Sequence, residues 1–445
     1  MTWLQRYRFS QYLRKSLWIL PAIGIVVGLG AVWFLHGIEE AMGWKLKFDP
    51  STAQMLLGTL AASMFTFIVF VCSALLIILQ LASAQLTPRI IGLVLQNRVT
   101  KLALTLFVFT FTFTLAALVR IKGAVPLITA YVAVFSCLVS LCFFLYLVDS
   151  VCNLLRPSGA LGLAAQQGHE VIENVYPQRL SEWEGTTPEP AKVLGGEPRC
   201  TIPNRREGVV LAFDMEGLVS LAQRADCVIE MVPQVGDFVA ADQPLFRVFG
   251  DGALPPAAAL YQSVAVGPER TLQQDPAFAF RIMVDIASKG LSPAINDPTT
   301  AVLAIDQIQY LLRHIGGRYL DEGKRRDERG SVRLLYRTPG WEDFVYLAVT
   351  EIRQFGGTSI QVARRLRAML EDLIQTLPQE RTVLLHTELE LLKRSAQRFF
   401  FEPEDQALAN VSDFQGVGGK YGPGKKNGEV ETIRNHATQE VSGER

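Results

Sequence analysis

Charge, histidine and cysteine are scarce where chemistry would need them. Lys plus Arg number 43 and Asp plus Glu number 43, so the formal net charge is zero. That balance leaves no basic footprint for nucleic acid. The five histidines are scattered and suggest no metal site. Six cysteines form no C-x-x-C and no Cys/His cluster of zinc spacing, so no metal or cofactor is expected. Cys72, Cys137, Cys142 and Cys152 lie in or beside apolar runs, and Cys200 and Cys227 lie outside them. All six read as unpaired thiols of a reducing compartment. There is no nucleophile elbow, P-loop or convincing acid/base pair, so the chain does not read as an enzyme and no catalytic residue is assigned.

The longest absence of charge runs from Pro50 to Pro88, 39 residues without Asp, Glu, Lys, Arg or His. As one helix at about 1.5 Å per residue it reaches roughly 58 Å, nearly twice a ~30 Å hydrocarbon core. It therefore spans a membrane with length to spare. Its polar residues Thr59, Ser63, Thr66, Ser73, Gln80 and Ser83 recur at helical spacing, and Thr87 continues the series. Thr59 through Gln80 fall within an arc of roughly 100°. Such a face meets other helices or water rather than lipid.

Three more apolar runs accompany it. Met1–Lys15 is short and basic, and Ser16–Leu35 follows as an uncleaved anchor, too long for a signal-peptide core. Gly24 and Gly28 form a small-x-x-x-small pair that permits close helix packing. After a loop over His36–Asp49, Asp49-Pro50 supplies an N-cap and first residue for the long helix. The third run is Leu102–Val119 and the fourth Gly123–Val148. Phe107–Thr114 alternates like a strand, but a lone strand cannot satisfy its backbone in lipid, so helix is expected. Arg6, Arg8, Arg14, Lys15, Arg89, Arg98, Lys101 and Arg156 fall on one side, and Lys45, Lys47, Arg120 and Lys122 on the other. Eight basic residues against four place both termini in the cytoplasm.

Residues 1–156 thus read as a four-helix transmembrane region, 157–206 as a connector and 207–270 as a small β-rich subdomain. A helical cytosolic subdomain is expected over 271–414 and a disordered tail over 415–445. The β-type runs are Glu207–Phe213, Cys227–Val232, Pro244–Phe249 and Leu260–Val266, with a helix over Met215–Ala225. Val235-Gly236-Asp237-Phe238-Val239 followed by Gln243-Pro244-Leu245 resembles the turn of biotinyl/lipoyl barrel-sandwich domains. Asp242 replaces the usual glycine and no hairpin lysine is nearby, so a small β-barrel is expected rather than a swinging-arm carrier. Helical periodicity marks Ala277–Lys289, Pro298–Ile315, Trp341–Gln354, Thr358–Leu377 and Gln379–Phe399, with Pro378 as a break. The fold class is an α-helical polytopic membrane protein with a cytosolic α+β C-terminal region.

The densest polar motif is Asp275–Asp306, read as helix, turn, helix. Asp285 can pair with Arg281 or Lys289, Gly290 stops the first helix, and Asp297-Pro298 caps and starts the second. Ser292, Asn296, Asp297, Thr299 and Thr300 are candidates either for an anion or ligand pocket at that helix N-terminus or for capping alone. Asp275, Asp285, Asp297 and Asp306 could ligate Mg²⁺, though their spacing matches no metal motif.

Two stretches carry a resemblance. Gln85-Leu86-Thr87-Pro88-Arg89 is similar to the Q-x-S/T-P-R element of a bacterial predicted-membrane-protein family, domain of unknown function 2254. Asp285-Ile286-Ala287 with Leu291-Ser292-Pro293-Ala294-Ile295-Asn296-Asp297-Pro298-Thr299-Thr300-Ala301 resembles its D-I-A-x-x-x-L-S-P-A-I-N-D-P-x-T-A signature. The resemblance spans roughly residues 10–400. It implies four membrane helices with a soluble C-terminal region in a bacterial inner membrane, and it carries no catalytic residues over. Of three readings an enzyme has the least support, and two others lead. One is a channel- or transport-like homo-oligomer in the lipid bilayer, with the second membrane helix lining the path. The other is a membrane-anchored ligand-sensing or scaffold protein.

Overall fold

The computed structural model describes the chain except residues 43–44, 47–48, 93–96, 122–124, 183–195, 322 and 420–445. Most of the expected tail, 415–445, therefore lies outside the described residues. The chain divides into two compact units, Gln5–Ala160 with Met1, and Leu161–Arg445 with Thr2–Leu4.

Helix α1 covers Trp3–Lys15 and α2 covers Ile19–Met42, so the expected loop after Leu35 begins with two further helical turns. Glu39 explains the extension. It is buried, and Thr129 donates both its backbone N–H (2.9 Å) and its hydroxyl (2.7 Å) to the Glu39 carboxylate. Asp49 caps α3, Pro50–Gln85, by accepting from the Thr52 N–H at 3.3 Å, with Pro50 as the first helical residue. A short 3-10 turn, Pro88–Ile90, follows, with Thr87 as its cap. Helices α4 (Arg98–Arg120) and α5 (Leu127–Leu155) complete the set. The two-residue strands β1 (Lys45–Leu46) and β2 (Val125–Pro126) pair antiparallel. Among the described residues, α2, α3, α4 and α5 are long and apolar enough to cross a membrane.

Close approach of α2 to α4 rests on the two glycines. A Cβ at Gly24 would stand 2.9 Å from the Thr105 carbonyl oxygen, and one at Gly28 3.2 Å from that of Phe109. Ala-sized bulk at Gly24 forces the helices to shift, and at Gly28 the neighbouring backbone has to give by a few tenths of an ångström. Inside the unit, Phe107 and Phe113 are fully buried on α4, and the buried hydroxyls Thr110 and Ser140 bond each other at 2.9 Å across α4 and α5. The Phe/Thr alternation is thus helical, with both residue types serving helix contacts.

Helix α6, Pro157–Val175, starts in the first unit and runs into the second, where its Leu161, Ala164, Ala165, Gly168, Val171 and Ile172 form one buried face. Strands β3 (Cys200–Pro203), β4 (Gly208–Phe213), β5 (Val228–Met231), β6 (Phe238–Val239), β7 (Pro244–Phe249) and β8 (Val264–Gly267) come next. Helix α7, Met215–Ala225, lies between β4 and β5, and α8, Ala257–Gln262, precedes β8. Then follow α9 (Pro276–Gly290), α10 (Pro298–Gly316), β9 (Lys324–Arg326) and β10 (Val332–Tyr336). Helices α11 (Trp341–Phe355), α12 (Ile360–Thr376), α13 (Gln379–Phe399) and α14 (Pro403–Ala409) end the described chain.

The expected small β-barrel is not what forms. The strands make a five-stranded sheet in the order β3-β7-β5-β10-β9 and a three-stranded sheet in the order β6-β4-β8, and neither closes. The reason is β10. Supplied from beyond α10, it pairs parallel with β5 and so opens the local meander. Phe213, Leu218, Ile229, Met231, Phe246, Val248 and Leu334 bury their side chains in one core between these strands and α7. The 260–266 run divides between α8 and β8 at Ser263. Asp242 takes φ 65, the left-handed conformation that glycine would occupy in the barrel-sandwich turn. All six cysteines are free.

Candidate functional site

Helix α3 carries two faces. Ala53, Leu57, Ala61, Met64, Val71 and Ala82 are buried, and Ile68 and Leu75 are half-buried in the same contact with Phe107, Leu147 and Val151. That apolar face meets the other helices of its own bundle. Thr59, Ser63, Thr66, Ser73 and Gln80 are exposed on the opposite side, and Ser83 is half-buried. Thr59 donates its hydroxyl to the Met55 carbonyl (2.8 Å) and Thr66 to that of Ala62 (3.1 Å). Each hydroxyl oxygen keeps its acceptor capacity. Buried polar groups join helices elsewhere in this unit: Thr110 on α4 bonds Ser140 and the Ser136 carbonyl of α5, and Thr129 on α5 donates to Glu39 on α2.

The 292–300 turn connects α9 to α10. Gly290 accepts the Asp297 N–H at 2.7 Å, and a Cβ at Gly290 would stand 3.0 Å from the Asp297 oxygen. Asn296 turns the chain with φ 50, a conformation Asn tolerates better than most residues. Asp297 caps α10 by accepting the Thr300 N–H (3.0 Å) and hydroxyl (2.5 Å). Ser292 donates to the Lys289 carbonyl at 2.7 Å. Asn296 and Thr299 are exposed, Ser292 and Asp297 half-buried, and Thr300 buried. Ser292, Asp297 and Thr300 therefore hold the turn, while Asn296 and Thr299 face solvent.

The four aspartates weighed for Mg²⁺ do not converge. Asp275 caps α9 and pairs with Arg270 at 2.8 Å; burial raises its carboxyl pKa, and the Arg270 charge opposes that shift. Asp285 accepts from Arg281 Nε at 2.6 Å, and the same guanidinium grips Glu351 at 2.5 and 2.8 Å. Asp306 pairs with Arg365 at 2.7 Å.

A different cluster does converge, and spacing along the chain concealed it. Gly168 lets α6 lie against α9 and α10: a Cβ there would stand 2.8 Å from Ala279 Cβ and 2.8 Å from Leu311 Cδ1. His169 and Glu173, one turn apart on α6, thereby face Tyr310 and His314 on α10. The two imidazole centroids lie 3.9 Å apart. His169 Nε2 is 3.6 Å from Glu173 Oε1, and its Nδ1 is 3.0 Å from the Tyr310 hydroxyl. Arg318 donates through Nη2 to Glu173 Oε1 at 3.0 Å, and that nitrogen lies 3.4 Å from His314 Nε2. Burial, then the charges of His169 and Arg318, push the His314 pKa down to about 4, against a smaller opposing effect of Glu173. The local sequence signals were i,i+4 spacings, His169/Glu173 on one stretch and Tyr310/His314/Arg318 on another more than 130 residues on.

The family described as predicted membrane protein, domain of unknown function 2254, matches residues 14–372. Two uncharacterized proteins, one of Mycobacterium bovis and one of Mycobacterium tuberculosis, are each 26% identical over 424 residues, 91% of this chain and 80% of theirs. No solved structure matches. The chain belongs to this family of predicted membrane proteins.

Proposed function

We propose that this family member is a channel-like homo-oligomer whose copies meet around the hydroxyl face of α3, which lines a path for ions or small solutes. The observation that carries this reading is the outward turn of Thr59, Ser63, Thr66, Ser73 and Gln80, away from their own bundle. Thr59 and Thr66 satisfy their hydroxyl protons within the helix, but the Gln80 amide facing hydrocarbon would forfeit hydrogen bonds, so a second copy or water is the better neighbour of this face. A water path favours this residue set because hydroxyls solvate a permeant species without trapping it. The basic-residue balance supports a bacterial inner-membrane orientation with both termini in the cytoplasm.

The test is flux through proteoliposomes holding the purified chain. The Thr66→Leu/Ser73→Leu double variant removes two hydroxyls from the middle of the face. Conduction should fall while the oligomer persists. An intact oligomer that passes no ion or small solute under any potential or osmotic load contradicts the reading. A ligand-sensing role is the second reading, favoured by the exposed Asn296 and Thr299 at the start of α10.

A further inference from the structure

Glu173 and the His314 imidazole meet a single guanidinium nitrogen between α6 and α10, with the His169 imidazole beside them. One potential ligand atom from each of His169, Glu173 and His314 lies within 4.8 Å of the others. Arg318 Nη2 stands among them, 3.0 Å from Glu173 and 3.4 Å from His314 Nε2. These donors already point at a positive centre. We propose that His169, Glu173 and His314 form a binding site for a first-row divalent cation, zinc foremost, which exchanges with the Arg318 guanidinium.

Four features of the geometry support the assignment. The donor set, two imidazole nitrogens and one carboxylate oxygen, suits Zn²⁺ and leaves a fourth position for water. Mg²⁺ and Ca²⁺ prefer oxygen-only sets. Bound ligands would draw together to about 3.3 Å apart, as tetrahedral bonds of roughly 2.0–2.2 Å require. The 3.6 Å separation of His169 Nε2 and Glu173 Oε1 is already close to that. The Tyr310 hydroxyl on His169 Nδ1 supplies the outer partner that fixes a metal-binding imidazole, leaving Nε2 toward Glu173. Glu173 and His169 are open enough to give an ion entry, with side chains 51% and 30% exposed.

Arg318 explains how the cluster is held without an ion. Its side chain is 9% exposed, and its Nη1 donates to the Pro177 carbonyl at 2.8 Å. The planar guanidinium moves as a unit, so an ion that takes the place of Nη2 has to swing the whole group away from Glu173 and His314. Ion and guanidinium therefore compete for Glu173 and His314, and the affinity of the site reports that competition.

The experiment uses the full chain in detergent, without a polyhistidine tag and after chelator treatment. Zn²⁺ is titrated calorimetrically and Co²⁺ by visible absorption. One ion per chain is expected, with the intense absorption of tetrahedral Co²⁺. His169→Ala/His314→Ala should abolish this binding. Tyr310→Phe keeps all three ligands and should weaken it by about tenfold through the lost orienting contact. Arg318→Met removes the competitor and should tighten it. The far-ultraviolet circular dichroism of each variant is compared with the parent, and Tyr310→Phe, an exposed position, serves where the double variant does not fold. Absence of stoichiometric binding by the parent overturns the proposal. So does equal binding by a folded double variant, or a Tyr310→Phe chain that binds as the parent does.

Discussion

Asn296 and Asp297 divide the labour of one turn between conformation and capping. Asn296 holds φ 50, and Asp297 satisfies the first free N–H of α10 that it can reach, that of Thr300. Asp297→Ala should cost about 0.5–2 kcal/mol in denaturant unfolding through the lost cap. Asn296→Gly keeps the left-handed conformation available and should change stability by far less. Loss of anion binding by an Asp297→Ala chain of unchanged stability would show that the turn is a pocket rather than a cap. The cap was legible in the sequence because Asp, Pro and Thr act within four residues. His169 with His314 was not, because their meeting depends on Gly168 allowing two distant helices to touch.

At the scale of the element, periodicity along α3 revealed that a polar face exists but not where it points. The same spacing fits a face turned into the bundle or away from it. Direction is set by which side packs better against α4 and α5, and the small and branched residues from Ala53 to Ala82 win that contest. Helix ends in the second unit were legible to within a residue or two wherever a cap or proline stood, as at Asp297-Pro298 and Pro378. The extension of α2 to Met42 was not, because Glu39 looks like a loop residue until Thr129 is placed beside it. The α2–α4 contact gives a direct check. Gly24→Ala puts a methyl 2.9 Å from the Thr105 carbonyl and should lower the thermal stability of the detergent-solubilised protein by the equivalent of about 1–3 kcal/mol. Gly30→Ala, with nothing within 4 Å of its added carbon, should leave it unchanged or slightly raised.

Across the whole molecule, the membrane-spanning set was legible because charge-free length is a property of the chain alone. The sheet was not. Strand β10 pairs parallel with β5 across about a hundred intervening residues, and no local pattern announces such a partner. The same limit applies to any contact between copies, and that contact is the centre of the functional account. It is tested most directly by thiol accessibility in membranes. In a chain whose six native cysteines are replaced, a single cysteine is placed at Thr66 or, as the exposed apolar comparison on another helix, at Phe135 of α5, which is 67% exposed. A charged, membrane-impermeant thiol reagent is then applied. A water path along α3 gives rapid modification at position 66 and little at position 135. Equal protection of both positions, in chains that are folded and inserted, would contradict a water path along α3.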